Sequence, residues 1–387
     1  MRDQDASGLC ILMTTDTVGG VFTYALTLAI ELGLRGATVH LATMGAPMRD
    51  CQRAAAAAVP GLTVHESTYA LEWMNEPWVD VARAGEWLTE LERLVAPDVI
   101  HLNGYCQATA GFSAPVVVVG HSCVLSWWEA VLREPAPPSF DRYRIEVAAG
   151  IATADAVVAP TRWMMRSLAH HYGPLPYSAV IPTAVRLPSG TPRPKERAVL
   201  AAGRLWDRAK NVEALSRVAP SFAGPVRVAG SDVLFDGTRR SLPNVEVLGW
   251  LDAASLSRAM EAAAIFAHPA RYEPFGIAPL EAALRGCALV LGDIESLREV
   301  WGDAAVYVDP DDDEALASAL DAYASDEDLR RAHAARAARR ALTFSPARMA
   351  DDTLAVYTHV LESARFERAL PSWSRTPVEP CSDGVSP

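Results

Sequence analysis

Two glutamates, Glu273 and Glu281, stand eight positions apart in RYEPFGIAPLEA at 271–282, with Gly276 and two prolines between them. Such a pair can trade protons as general acid and base, or accept hydrogen bonds from hydroxyl groups. The stretch follows an apolar run, AIFAHPA at 264–270, that reads as a strand. Pro279 suits the first position of a helix, where its missing N–H would be unpaired anyway. Glu281 then falls in the first turn. The turn Gly276-Ile277-Ala278 can aim backbone N–H groups at a ligand, and the helix dipole favours an anion there. A glutamate in a first turn is also ordinary helix chemistry, and a loop glutamate before proline is ordinarily solvated. The spacing alone leaves both readings open.

A second stretch, AAGRLWDRAKNVEAL at 201–215, places Arg204 at the end of a strand and Lys210 at the start of a helix. Two cations on one loop suit a diphosphate, arginine as a fork and lysine as a point charge. The plainer alternative is a surface loop with Asp207 and Glu213 as local partners. Of 35 basic residues only Lys195 and Lys210 are lysines. Either those places need a compact ammonium, or a bias toward arginine spared two by chance. In TDTVGGV at 15–21, Gly19 and Gly20 let backbone approach a ligand closely, or simply make a tight turn. His121 ends a strand in GHSCVLSWW at 120–128 and faces the expected cleft, whereas His101 in HLNGY reads as a hydrogen-bonded core residue. Trp127 and Trp128 could stack on sugar faces but read first as packing.

What is missing narrows the chemistry. G-x-G-x-x-G, G-x-S-x-G, H-E-x-x-H and G-x-x-x-x-G-K-[ST] are all absent, which disfavours nicotinamide dehydrogenases, hydrolase triads, zinc proteases and P-loop kinases. The six cysteines are scattered with no C-x-x-C and no metal-like cluster; Cys10 and Cys287 read as buried, and a reducing cytoplasm fits. A formal charge of −12 argues against gripping nucleic acid. Residues 1–150 hold 9 arginines against 17 acids, so membrane association would be peripheral at most. No apolar run approaches the roughly 18 residues of a membrane helix.

The elements that must position these residues alternate. Apolar runs at 9–15, 37–45, 62–66, 98–104, 114–122 and 156–161 read as strands, with helical stretches or loops between most of them. PTAVRLPSGTPRPKER at 182–197 breaks the pattern and reads as a linker. Strands resume at 198–204, 225–230, 245–250, 264–270, 287–293 and 304–310; a helix at 253–263 capped by Asp252 lies among them, and helices at 326–342 and 346–365 close the chain. The expectation is an α/β protein of two Rossmann-like doubly wound domains facing across a cleft: 1–185, 186–345, a helix at 346–370, and a disordered tail at 371–387. Every interesting loop sits at the carboxyl end of a strand.

Taken together, YEPFGIAPLEA, GRLWDRAKN and the Gly-Gly loop resemble the retaining glycosyltransferases of the GT-B fold, specifically glycosyltransferase family 4. The resemblance covers roughly 9–365. It implies a nucleotide-sugar donor as co-substrate, with a UDP-sugar favoured over GDP-mannose, and neither resident cofactor nor metal. It implies that Glu281 holds the ribose hydroxyls and that Glu273 faces the donor sugar. Backbone N–H groups of Phe275, Gly276, Ile277 and Ala278 would bind sugar and phosphate, Arg204 and Lys210 would neutralise the departing diphosphate, Gly19 and Gly20 would close over it, and His121 would contact the transferred sugar. The last helix would cross back to the N-terminal domain. The chain departs from the pattern in two places: five residues separate Arg204 from Lys210, one more than in many relatives, and Pro279 removes an N–H, so Ala278 would have to serve.

The acceptor stays open between a carbohydrate, a lipid-linked sugar and a small molecule, and is expected to be set by 67–80 and 123–140. Two other activities compete: a nucleotide-sugar epimerase on the same fold, and a carbohydrate-binding protein without turnover. The four charged residues Glu273, Glu281, Arg204 and Lys210 argue against the latter.

Overall fold

The computed structural model describes residues 6–187, 194–233 and 238–369. The expected tail and the middle of the expected linker lie outside the described residues. The N-terminal lobe holds β1 (Cys10–Asp16), β2 (Thr38–Met44), β3 (Leu62–Glu66), β4 (Val99–Leu102), β5 (Val116–Val119), β6 (Ala156–Ala159) and β7 (Tyr177–Val180). They form one sheet in the order β3-β2-β1-β4-β5-β6-β7. The C-terminal lobe holds β8 (Glu196–Ala202), β9 (Val226–Ala229), β10 (Glu246–Gly249), β11 (Ala263–His268), β12 (Ala288–Gly292) and β13 (Val306–Val308), in the order β10-β9-β8-β11-β12-β13. All the pairings are parallel. The α/β alternation legible in the apolar runs is thus the architecture, a GT-B arrangement of two doubly wound sheets. The expectation missed β7, whose residues YSAV are mostly exposed at a sheet edge and so make no apolar run.

In each sheet the strand order reverses once, between β1 and β4 and between β8 and β11. The loops leaving such a pair diverge, and a crevice opens at their carboxyl ends. Gly19-Gly20 follows β1, and the loops of Arg204 and Glu273 follow β8 and β11. The two crevices hold most of the candidate residues.

The chain passes from one core to the other between Ala184, packed with the first sheet, and Val185, packed with the second. The helix Pro346–Ala369 returns, and Met349, Leu354, Tyr357 and Val360 join the N-terminal core. Two polar contacts anchor it. The His101 Nδ1 lies 2.6 Å from the Tyr357 hydroxyl inside that core. Burial drives the imidazole pKa down to about 4, against the opposing Asn103 hydrogen bond, so the ring is neutral. Arg35 spans Asp351 Oδ1 at 2.9 Å, Glu31 Oε2 at 3.0 Å and the Ala347 carbonyl at 3.0 Å. The side chains of Arg35, Glu31 and Asp351 are only 6%, 8% and 12% exposed.

Removing Arg35 takes the cation from Asp351 and leaves Glu31 its contact with Arg186. Arg35→Ala is therefore expected to lower unfolding stability by about 3 kcal/mol or more. Denaturant unfolding checks this, and a loss under 1 kcal/mol would mean that the network does not anchor the returning helix.

Candidate active site

The site is assembled at the reversal point of the C-terminal sheet. The helix Ile277–Leu284 starts two residues before Pro279, so Glu281 falls in its second turn rather than its first. The reason is Gly276, whose φ of 95° is left-handed and turns the chain into the helix early. Ile277 and Ala278 thus become the first two helical residues, whose N–H groups have no intrahelical acceptor. Phe275 is buried against Phe344, so only its backbone can face a ligand.

The two glutamates have opposite electrostatics. Glu273 Oε2 accepts from Lys210 Nζ at 2.7 Å and faces His268 Nε2 at 3.0 Å. Burial opposes its charge, but Lys210 and His268 outweigh that and hold the carboxyl well below the usual range. Glu281 is pushed up to about 7 by burial, which Arg285 only partly offsets. One carboxylate is held ionised at neutral pH and the other titrates near neutrality.

Arg204 and Lys210 reach the same place by different routes. Arg204 Nη2 donates to Asp207 Oδ2 at 2.9 Å, while Asp207 Oδ1 accepts from the Ala209 N–H at 2.9 Å and from Trp127 Nε1 at 3.1 Å. Asp207 was expected as a local partner, and it is; Glu213 pairs instead with Arg240. Among the described residues the buried Arg204 Nε has no hydrogen-bond partner, so the guanidinium has donor capacity to spare. Lys195, the other lysine, donates to the carbonyls of Met260 at 2.8 Å and Ala263 at 2.9 Å, where the helix Ala253–Ala262 ends. Both lysines therefore sit where a compact ammonium is used.

The N-terminal lobe closes over this surface. A Cβ on Gly20 would stand 3.1 Å from Ile277 Cδ1, and one on Gly19 would stand 3.7 Å from Arg204 Nη1. Neither glycine has a positive φ among the described residues, so at Gly20 it is close approach that crowds a side chain, which Ile277 would have to yield to by a few tenths of an ångström. Asp16 Oδ1 fixes the turn by accepting from the N–H groups of Val18 and Gly19 at 2.8 Å each. His121 Nε2 contacts Asn103 Oδ1 at 2.8 Å. Because Asn103 Nδ2 donates to the Thr14 carbonyl at 2.7 Å, its oxygen must accept, so His121 carries its proton on Nε2 and leaves Nδ1 as an acceptor. Burial, then His101, push the His121 pKa down to about 3.

Several contributors escaped the sequence reading. Tyr272 crosses between the lobes: its hydroxyl lies 3.0 Å from Ser122 Oγ and 3.0 Å from Ser126 Oγ, and accepts the Cys123 N–H at 3.1 Å. The Thr161 hydroxyl donates to the Pro274 carbonyl at 3.1 Å. His268 had a signal, as a histidine at a strand's carboxyl end; Tyr272 had none, because its partners are about 150 positions away. Trp127 and Trp128 pack against each other, and Trp127 serves Asp207. The segment 123–140 begins with a helix, Val124–Leu132, packed on the C-terminal lobe through Trp127 and Val131. Cys287 is fully buried, but Cys10 is only half-buried at a strand's start. Among the described residues, Glu129, His170 and His171 bring ligand-type atoms within 4.8 Å, a grouping made by two helices that no sequence motif announces.

Comparisons with known proteins agree with this architecture. A profile described as Glycosyltransferase Family 4 matches residues 18–187, and one described as Glycosyl transferases group 1 matches 196–326. A phosphatidyl-myo-inositol mannosyltransferase of Mycolicibacterium smegmatis is 28% identical over 60% of the chain and 61% of that protein. The alignment therefore spans about three fifths of that relative's length. The Mycobacterium leprae protein of the same name is 25% identical over 92% of the chain and 97% of its own. Sucrose-phosphate synthase from Thermosynechococcus elongatus shares the fold with a TM-score of 0.75 at 17% identity, over 92% of this chain and all of that one. Anabaena HepE, solved with UDP-glucose, gives 0.66 at 18% identity over 92% of this chain and 100% of that one. The chain belongs to the group 1, family 4 glycosyltransferases and has the GT-B fold.

Proposed function

We propose that the protein transfers a hexosyl group from a nucleotide-sugar donor to a hydroxyl acceptor, with retention at the anomeric carbon. One observation carries this reading: Glu273 and Glu281 flank the N–H groups of Ile277 and Ala278, which have no backbone acceptor among the described residues, while Lys210 reaches Glu273 at 2.7 Å from the neighbouring loop. Glu281 takes the ribose hydroxyls, the N–H groups and Arg204 take the diphosphate, and Glu273 takes the sugar. Gly19 and Gly20 close over the diphosphate, and His121 offers Nδ1 to a sugar hydroxyl.

In the reaction the acceptor oxygen bonds to the anomeric carbon as the bond to the diphosphate breaks. The leaving phosphate oxygen takes the acceptor's proton. Glu273 is held ionised, so it cannot donate a proton at neutral pH. His121 stays neutral for the opposite reason. Glu273 supplies fixed charge where charge develops, and His121 a fixed hydrogen-bond acceptor beside it. Arg204 and Lys210 can neutralise the diphosphate without a metal ion. A UDP-sugar is the favoured donor, supported by the HepE complexes with UDP and UDP-glucose. A mannosyl donor such as GDP-mannose is the second reading, favoured by the mannosyltransferases among the relatives.

Thermal unfolding with millimolar UDP, GDP, ADP or dTDP, in the presence of a chelator, tests the reading. A ligand that binds only the folded state raises the midpoint. A rise with UDP supports the favoured donor, a rise with GDP supports the second, and no rise with any of them counts against the transferase reading. Lys210→Ala is expected to lower turnover about 10²–10³-fold, the scale of losing one preorganised charge, with a much smaller effect on nucleotide affinity. Steady-state kinetics beside calorimetry separates the two.

Glu281 gives a pH signature. Ribose hydroxyls donate to a carboxylate, so binding favours the ionised form of a group that is half protonated near pH 7. Nucleotide binding at pH 7 should therefore release protons, and affinity should rise from pH 6 to pH 8. Titration calorimetry in two buffers of different ionisation enthalpy reads the release, and Glu281→Gln should reduce it. Equal proton release in the variant would remove Glu281 from the ribose site.

A further inference from the structure

A cavity of about 430 Å³ lies where the two lobes meet, and none of Glu273, Glu281, Arg204, Lys210 or His121 lines it. Its walls carry five arginines against two carboxylates, in a chain whose formal charge is −12. Arg133 comes from the N-terminal lobe, at the end of the helix Val124–Leu132. Arg208, Arg217, Arg240 and Arg271 come from the C-terminal lobe. We propose that this cavity is a second ligand site, for a small phosphorylated molecule, distinct from the cleft.

The pairing of the arginines supports this. Asp311 is shared: it accepts from Arg133 Nη2 at 2.6 Å and from Arg271 Nη2 at 2.8 Å. Arg217 is held by Asp313 at 2.8 Å, and Arg240 by Glu213. Arg208 makes no ion pair among the described residues. Positive charge is therefore left over in a concave space of ligand size. The guanidinium fork matches phosphate oxygens, and an anion would relieve the repulsion among the arginines. The acidic balance of the rest of the chain disfavours an anionic membrane as the occupant.

The cavity is also wired to the cleft. The loops after β8 and β11 turn Lys210 and Glu273 toward the cleft, and Arg208 and Arg271 toward the cavity. The Arg271 N–H donates to the Ala209 carbonyl at 2.9 Å, which joins the two loops. An anion held by Arg133 with Arg208 and Arg271 would bridge the lobes. It would favour the arrangement in which Trp127 meets Asp207, and coupling of that kind is reciprocal with donor binding.

Titration calorimetry of the full chain with inorganic pyrophosphate tests the site. The double variant Arg133→Ala with Arg208→Ala disturbs no buried ion pair, since Arg133 is 79% exposed and Arg208 is exposed. It should unfold at the wild-type midpoint and lose one pyrophosphate per chain, or weaken that site at least tenfold. Any pyrophosphate still bound by the variant belongs to the cleft. If the cleft reading fails, the variant binds none while the wild type binds one. Unchanged stoichiometry and affinity in the double variant would overturn the proposal and leave the cavity as an ion-paired surface.

Discussion

The contact between Lys210 and Glu273 organises the rest of the site. A carboxylate buried at the carboxyl end of β11 is costly unless a cation and a hydrogen-bond donor meet it. Lys210 and His268 do so, at 2.7 Å and 3.0 Å. The pairing ties the loop after β8 to the loop after β11, at the point where the strand order reverses. Once Lys210 is placed, Asp207 is placed with it, and Asp207 orients Arg204 and receives Trp127 from the other lobe. Glu273 in turn leads into the left-handed Gly276, which starts the helix early and exposes its first N–H groups.

The two lobes are joined by polar contacts as well as by the chain. Tyr272, Thr161 and Trp127 each bond across the boundary, all close to the residues that would touch a donor. A cleft held this way can bring Gly20 against Ile277 without a large apolar interface. The returning helix Pro346–Ala369 adds a second connection through Arg35 and Tyr357, far along the chain from both partners.

The buried titratable groups of the site meet opposite fates. His101 and His121 are buried neutral in one lobe, while Glu273 is buried ionised in the other. Glu281 sits between these cases, because Arg285 only partly relieves its burial. No spacing in the chain distinguishes Glu273 from Glu281 in this respect. The difference comes from which neighbours the fold supplies.

Much was written in the sequence. Short apolar runs separated by helical periods specify parallel strands, because a strand covered on both faces must be apolar throughout. That alternation, with the break near 182–197, dictated two α/β lobes, and the sequence already set Arg204, Lys210, Glu273 and Glu281 on the segments that leave β8 and β11. The edge strand β7 was hidden, since an exposed strand has no apolar signature. The helix start at Ile277 was hidden too, because the pull of Gly276 is a matter of backbone conformation that a nearby proline obscured. Tertiary structure alone decided that Tyr272 would bond to Ser122, that five arginines would converge between the lobes, and that one glutamate would be ionised while the other titrates. The physical reason is common to all three: hydrogen bonds, charge repulsion and desolvation act over a few ångströms in space, between residues that the chain keeps tens to hundreds of positions apart.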